Sequence, residues 1–179
     1  MIETGRLYII PLTYEHLLLY LRGEDRLENL LGLAHTGRVM DARVCKDIEQ
    51  NMLPKIRSSR DDLFLFHTCW LVIDKASMRI VAELGFKGEP NRNKEVEIGY
   101  GTIQAMRGKG YMTEAVRAMI GWASARQDVD FVLAETSRLN TASIRVMQKN
   151  NFECFQQLGS MLWWRMNVQQ STPALHEML

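Results

Sequence analysis

With 179 residues, 46% of them hydrophobic and 24% charged, the chain is long enough to bury a sizeable core within one domain. A formal net charge of +1, with Lys and Arg scattered, leaves no electrostatic footprint for nucleic acid or an anionic membrane. Cys45, Cys69 and Cys154 are odd in number and lack metal or redox spacing, so reduced thiols in a cytoplasmic protein are expected.

In chain order, Arg6 to Ile10 reads as a strand ended by Pro11, followed by a helix from Tyr14 to about Leu31. Leu17-Leu18-Leu19 within it is far too short for a signal segment or a membrane span. Asp41 to Arg57 reads as a second helix, with Val44, Ile48, Met52 and Ile56 as its apolar stripe and Pro54 kinking it. Leu63 to Asp74 and Arg79 to Lys87 read as paired strands joined by a turn at Lys75-Ala76-Ser77. A polar loop over 88–94 leads to a further strand, Val96 to Ile103, rich in β-branched and aromatic residues. A helix from Met112 to Arg126 follows, then a short strand from Phe131 to Glu135 and a helix capped by Asn140. Phe155 and the run Met161 to Val168 supply the final strands, and Gln169 to Leu179 reads as a loosely ordered tail. No repeat or linker divides the chain, so residues 1–179 are expected to form one domain.

The most informative stretch is Arg107-Gly108-Lys109-Gly110-Tyr111-Met112-Thr113-Glu114-Ala115. Met112, Ala115, Val116, Met119, Ile120 and Ala123 follow at the spacing of a helix with one buried face. A helix opening from an unobstructed glycine loop presents unpaired N–H groups and its positive dipole end, which suits phosphate. Two common phosphate loops fail on residues. Thr113 stands where a dinucleotide fingerprint needs its third glycine; a Walker loop needs Ser or Thr where Gly110 stands, and glycine where Ile103 stands.

The stretch instead resembles the acetyl-CoA loop of the GNAT superfamily of N-acetyltransferases. Ile98-Gly99-Tyr100, then Gly108-x-Gly110-Tyr111-x-Thr113-Glu114-Ala115, is similar to the RimJ/RimL-like branch. A second anchor lies downstream: Asn140-x-x-Ser143, then Lys149-Asn150-Asn151-Phe152, with Asn151 where that branch has a glycine. Asparagine is the next best residue for a left-handed helix end. Thr4 to Leu12 also resembles the family's first strand, and the likeness is weakest between about Arg22 and Asp62.

The resemblance implies an α+β GNAT fold, with a mixed, mostly antiparallel central sheet flanked by helices. It implies acetyl-CoA as cosubstrate, contacted by Ile103, Arg107, Gly108, Lys109, Gly110, Tyr111, Met112, Thr113, Asn140 and Ser143. Two departures stand out: Ala105 occupies the superfamily's Gln/Arg position, and Met147 replaces the tyrosine that protonates departing thiolate in many members. Ser143 could supply that proton instead, or could simply bond backbone in the first turn of its helix. For the base that deprotonates an amine, Glu97 and Glu135 are the candidates, on strands flanking the expected cleft. Glu97 shares a strand face with Gly99 and Gly101, a face without bulk where a ligand can approach. A strand-edge charge in water or in an ion pair is the plain alternative for either residue.

The expected activity is direct acetyl transfer, in a ternary complex, to a primary amine: a protein N-terminus or a small molecule. Two rivals keep the fold without the chemistry, a non-catalytic acyl-CoA-binding protein and a partner-binding domain. No nucleic-acid or membrane partner is expected, no metal site is read from the spacing of the histidines, and monomer and homodimer stay open.

Overall fold

The computed structural model describes residues 1–23, 25–35, 37, 42–59 and 61–169. The expected tail therefore lies outside the described residues except for Gln169, as does Asp41, where the second helix was expected to begin. The strands are β1 (Ile2–Glu3), β2 (Leu7–Pro11), β3 (Trp70–Asp74), β4 (Arg79–Phe86), β5 (Glu95–Thr102), β6 (Phe131–Ser137), β7 (Glu153–Leu158) and β8 (Met161–Asn167). They form one eight-stranded sheet in the order β1-β2-β3-β4-β5-β6-β8-β7. Every neighbouring pair is antiparallel except β5 with β6, which is parallel. The expected α+β architecture is thus the observed one.

The helices divide the sheet's two faces. On one lie α5 (Tyr111–Ser124) and α6 (Thr141–Lys149). The six apolar positions expected in α5 are all buried there, and Phe66, Phe86 and Trp122 stack as an aromatic cluster. On the other face α1 (Tyr14–Arg22) and α2 (Arg26–Leu31) bury Leu17, Tyr20 and Leu27 against Leu71, Ile73 and Ile80. Trp164 is buried with its indole N–H on Thr136, whereas Trp163 is only half-buried, as alternation along a strand requires.

Three expected elements differ. The single helix from Tyr14 to Leu31 is two helices, because Gly23 ends α1 at φ +62°, a conformation that glycine adopts without strain. Leu63 to His67 is not strand: Asp61–Phe66 forms a 3₁₀ turn, and Trp70 anchors it by donating its indole N–H to Leu65 O at 3.0 Å. Phe66 reaches the core from that turn without any ladder, so an apolar run read as strand is a folded turn. The helix with Pro54 is not one continuous α-helix but is widened by a π-turn. It comprises α3 (Ala42–Asp47), a π-turn over Ile48–Met52, and α4 (Leu53–Ser58). Pro54 has no N–H for the carbonyl four residues back, and the Leu53 N–H bonds Ile48 O, five residues back. Asn151 does adopt the left-handed conformation expected at the end of α6, with φ +58°.

The N-terminal strand pair is strapped to the start of α5. Glu114 accepts from Thr4 Oγ1 at 2.6 Å, Arg6 N at 3.1 Å and Arg6 Nε at 2.7 Å. Burial would raise the Glu114 carboxyl, but the Thr4 and Arg6 hydrogen bonds outweigh it and hold the group below the ordinary glutamate range. The lower folded-state value means that this stabilisation is fully present above the unfolded range, about 4.3, and is lost as pH falls through the folded value. Thermal unfolding scans should therefore show Tm falling from about pH 5 toward pH 3, and falling less steeply in E114Q, which carries no titrating group. At neutral pH E114Q should melt roughly 2–4 °C lower, about 1 kcal/mol at a site partly screened by solvent. Superimposable pH curves for the two proteins would show that the strap contributes nothing.

Candidate active site

The site begins where the sheet comes apart. Parallel pairing between β5 and β6 comprises Glu95 with Phe131, Val96 with Val132 and Glu97 with Leu133, and stops there. Both strands run on, β5 to Thr102 and β6 to Ser137, leaving facing edges that do not pair with each other. Backbone N–H and C=O groups are obligatory hydrogen-bonding groups. An extended ligand can lie between these edges as a strand would.

At the far end of β5 the chain turns through Gln104–Met106 into the glycine loop. Gly108 and Gly110 have φ +78° and +80°, the left-handed region that explains why both are glycine. Gly110 is the N-cap of α5, and no side chain caps that helix. The first-turn N–H groups therefore face outward without a side-chain acceptor, the condition for an anion site. Arg6 braces the loop, its Nη1 donating to Lys109 O at 3.2 Å and its guanidinium lying 5.1 Å over the Tyr111 ring.

Across the gap stands α6. Asn140 caps it, its Oδ1 accepting from Ser143 N at 3.1 Å. Among the described residues the Ser143 hydroxyl makes no bond to backbone in the first turn, and its side chain meets the Tyr100 phenol instead. Tyr100 reaches over from β5 and donates its hydroxyl to Ser143 O at 3.4 Å. Burial raises the Tyr100 phenol, only partly offset by a hydrogen bond with the Ser143 side chain, and keeps it a proton donor. Sequence reasoning passed over Tyr100; its place in β5 two residues after the buried Ile98 was the available signal.

On the other face of β5 lies a cavity of about 960 Å³. Its floor is Gly85 of β4 with Gly99 and Gly101 of β5, the face without bulk anticipated for β5. A Cβ at Gly85 would sit 2.8 Å from Thr68 O, so glycine lets the segment before β3 close over the floor. One wall is a stripe of Arg43, Asp47, Asn51 and Lys55 at four-residue spacing. At ~100° per residue, an unbroken α-helix would carry Lys55 about 120° around the axis from Arg43. The extra residue in the π-turn returns it to about 20°, which aligns the stripe with the cavity. Glu83, a carboxylate that sequence reasoning did not single out, also lines it and accepts from Tyr20 Oη at 2.7 Å.

The residues singled out from sequence thus fall into three groups. Gly108, Gly110, Asn140 and Ser143 stand around the gap. Arg107 and Lys109 are exposed loop cations; Arg107 Nε donates to Thr102 O at 3.3 Å, while Lys109 Nζ lies 3.7 Å from Met106 Sδ. Thr113 and Met112 offer backbone only: the Met112 side chain is core, and Thr113 O accepts from Asn150 Nδ2 at 3.2 Å. Tyr111 turns beneath Arg6 and hydrogen-bonds Asp74. Ile103 gives its N–H to Val81 O at 3.1 Å and packs against the second core, so its backbone donor is already engaged. Glu97 is paired with Lys87 Nζ. Glu135 is half-buried on β6, opposite Trp163. Met147 is fully buried, a core residue and nothing else.

An eight-stranded sheet split at its one parallel pair, with an uncapped glycine helix at the mouth of the split, is the architecture of the GNAT acetyltransferases. The chain belongs to that family: the model described as acetyltransferase (GNAT) domain matches residues 6–153. Among curated proteins, the uncharacterized N-acetyltransferase YjdG of Bacillus subtilis (strain 168) is 35% identical over 83 residues, 46% of this chain and 49% of that protein. The match thus spans about half the length of this relative. Similar solved structures include the ribosomal-protein-S5-alanine acetyltransferase of Vibrio fischeri, at TM-score 0.63 and 14% identity, covering 96% of this chain and 98% of that one. RimL, a ribosomal L7/L12 alpha-N-protein acetyltransferase in complex with coenzyme A, aligns at TM-score 0.61 and 17% identity over 92% and 95%. The dodecameric spermidine N-acetyltransferase of Vibrio cholerae aligns at 0.65 and 11% over 94% and 97%. These neighbours agree with the RimJ/RimL-like resemblance of the motifs.

The loop geometry yields a binding prediction. Asp tolerates the left-handed conformation of residue 110 better than most residues, so G110D should fold while adding bulk and a negative charge at the helix start. Acetyl-CoA affinity measured by calorimetry should fall at least tenfold, about 1.4 kcal/mol. An unchanged affinity in the folded variant would remove the loop from the cofactor site.

Proposed function

We propose that the chain transfers an acetyl group from acetyl-CoA to a primary amine, a protein N-terminus or a small molecule, by direct attack in a ternary complex. The observation that carries this reading is the split between β5 and β6, which opens at one end onto the uncapped start of α5 and faces Ser143 across its width. The pyrophosphate would lie on the N–H groups of residues 110–113 and the pantetheine arm between the unpaired strand edges. The amine would come from the opposite face, through the glycine-floored cavity. Because Gly99 and Gly101 carry no side chains, the thioester and the amine can meet across β5.

The proton inventory follows from the residues at each side. The departing thiolate needs a donor, and the Ser143 hydroxyl is available on α6 with Tyr100 beside it. The attacking amine needs an acceptor, for which the carboxylates of Glu97 and Glu135 on the flanking strands and Glu83 in the cavity are candidates.

A second reading, an acyl-CoA-binding protein without catalysis, draws on Met147, an apolar core residue where many relatives of the fold place the proton-donating tyrosine. A thermal shift with acetyl-CoA, followed by thiol release with a panel of amines, separates the two. Stabilisation with turnover supports transfer, stabilisation with no turnover for any amine supports binding alone, and no stabilisation overturns both.

In the transfer reading, S143A should lower kcat about tenfold or more while acetyl-CoA affinity stays within about twofold, since the acid acts only as the thiolate departs. Y100F should behave likewise if the phenol shares the role. Parallel loss of affinity and rate in S143A would make Ser143 a residue that positions the cofactor.

A further inference from the structure

His67 is a partly buried imidazole whose neighbours only the fold reveals. It follows the 3₁₀ turn that replaces the expected strand and lines the same cavity as Gly85 and Gly99. Its side chain is only 9% exposed, and its Nε2 lies 2.8 Å from Glu89 Oε1. A carboxylate only accepts, so Nε2 donates in this contact, and in the neutral ring Nδ1 then keeps the lone pair. Among the described residues no group bonds that Nδ1.

The segment that carries His67 is tied down on all sides. His67 N donates to Phe64 O at 2.9 Å, Thr68 Oγ1 to Leu12 O at 2.6 Å, and the Trp70 indole to Leu65 O at 3.0 Å. The close approach of Thr68 O to Gly85 then presses the segment onto the cavity floor. A rigidly held imidazole, oriented by a carboxylate and open on its other nitrogen, is the arrangement that makes histidine a base in other enzymes. The rival carboxylates are less free. Glu97 already has Lys87 as its counter-ion, Glu83 accepts from Tyr20, and Glu135 does not line the cavity.

Resting on the transfer reading above, we propose that His67, oriented by Glu89, is the general base that receives the proton of the acceptor amine. The amine nitrogen attacks the thioester carbon and the C–N bond forms. Its surplus proton passes to His67 Nδ1, the C–S bond breaks with its electron pair on sulfur, and the thiolate takes a proton from Ser143 or solvent. Nothing is oxidised or reduced. Charged groups facing the same cavity are Arg43, Asp47 and Lys55 from α3–α4, Glu83 from β4 and Lys87 just after it, with Glu97 of β5 paired to Lys87.

The test uses the whole protein with acetyl-CoA and a tripeptide amide and n-butylamine as amine probes. In H67Q the amide still reaches Glu89 but cannot take a proton, so kcat/KM near neutral pH should fall about a hundredfold. Acetyl-CoA affinity and Tm should stay near the parent's, so that the loss falls on turnover alone. E89Q should lose about tenfold. Independently of turnover, nitrogen-15 NMR of the imidazole above neutral pH should show the Nε2–H tautomer with a bare Nδ1. The Nδ1–H tautomer, a parent-like kcat/KM in H67Q, or a larger loss in E97Q than in H67Q would overturn the assignment. Binding of acetyl-CoA with no thiol release from either probe or any other amine would overturn the transfer reading, and the role of His67 with it.

Discussion

The whole site depends on one ladder being cut short. β5 and β6 pair in parallel through Glu97 and Leu133 and then continue without each other. Backbone groups left without partners must find them in water or in a ligand, which is why a gap in a sheet is a binding site rather than a defect. The surrounding architecture keeps that gap open. β5 is held on its outer side by the full β4 ladder, and β6 by seven registered pairs with β8, so neither strand can swing across to close it. Packing of α5 and α6 on one face fixes the mouth and the far wall.

The two faces of β5 then take different roles. Toward α5 and α6 it presents Val96, Ile98 and Tyr100, which seal the core and reach Ser143. Toward α3 and α4 it presents Gly99 and Gly101, with the Lys87 side chain near Gly99, and these glycines help form the cavity floor. In the transfer reading, a cofactor side and an acceptor side share this single strand as their partition. The π-turn before Pro54 serves the same cavity from above, by bringing a polar stripe into line that a regular helix would have wound away.

Local pattern carried far into this protein where one element decides its own conformation. The buried face of α5, the cap at Asn140, the left-handed Asn151 and the glycine loop all depend on near neighbours, and each is found where residue type and spacing put it. Misreadings came where local signals are degenerate. Leu63 to Phe66 is apolar in strand and turn alike, and only Trp70 capturing Leu65 O decides between them. Gly23 within a helical pattern reads as tolerated until its positive φ is seen. Pro54 announces a disturbed helix but does not say whether the helix bends or widens, since that depends on which carbonyl finds the next N–H.

The chemistry divides along the same line. By itself the sequence determined the fold class, the glycine loop at the start of α5 and the cap with its serine, because each rests on contiguous residues whose backbone geometry is set within a turn or two. Only the tertiary structure decided which side chains share a space. Tyr100 meets Ser143 across 43 positions of chain, and His67 meets Glu89 across 22. Glu97 acquires Lys87 from the bend that follows the neighbouring strand. Hydrogen bonds and ion pairs are set by distance in space, and no spacing along the chain encodes a pairing that the sheet register and the closing of one loop over Gly85 bring about.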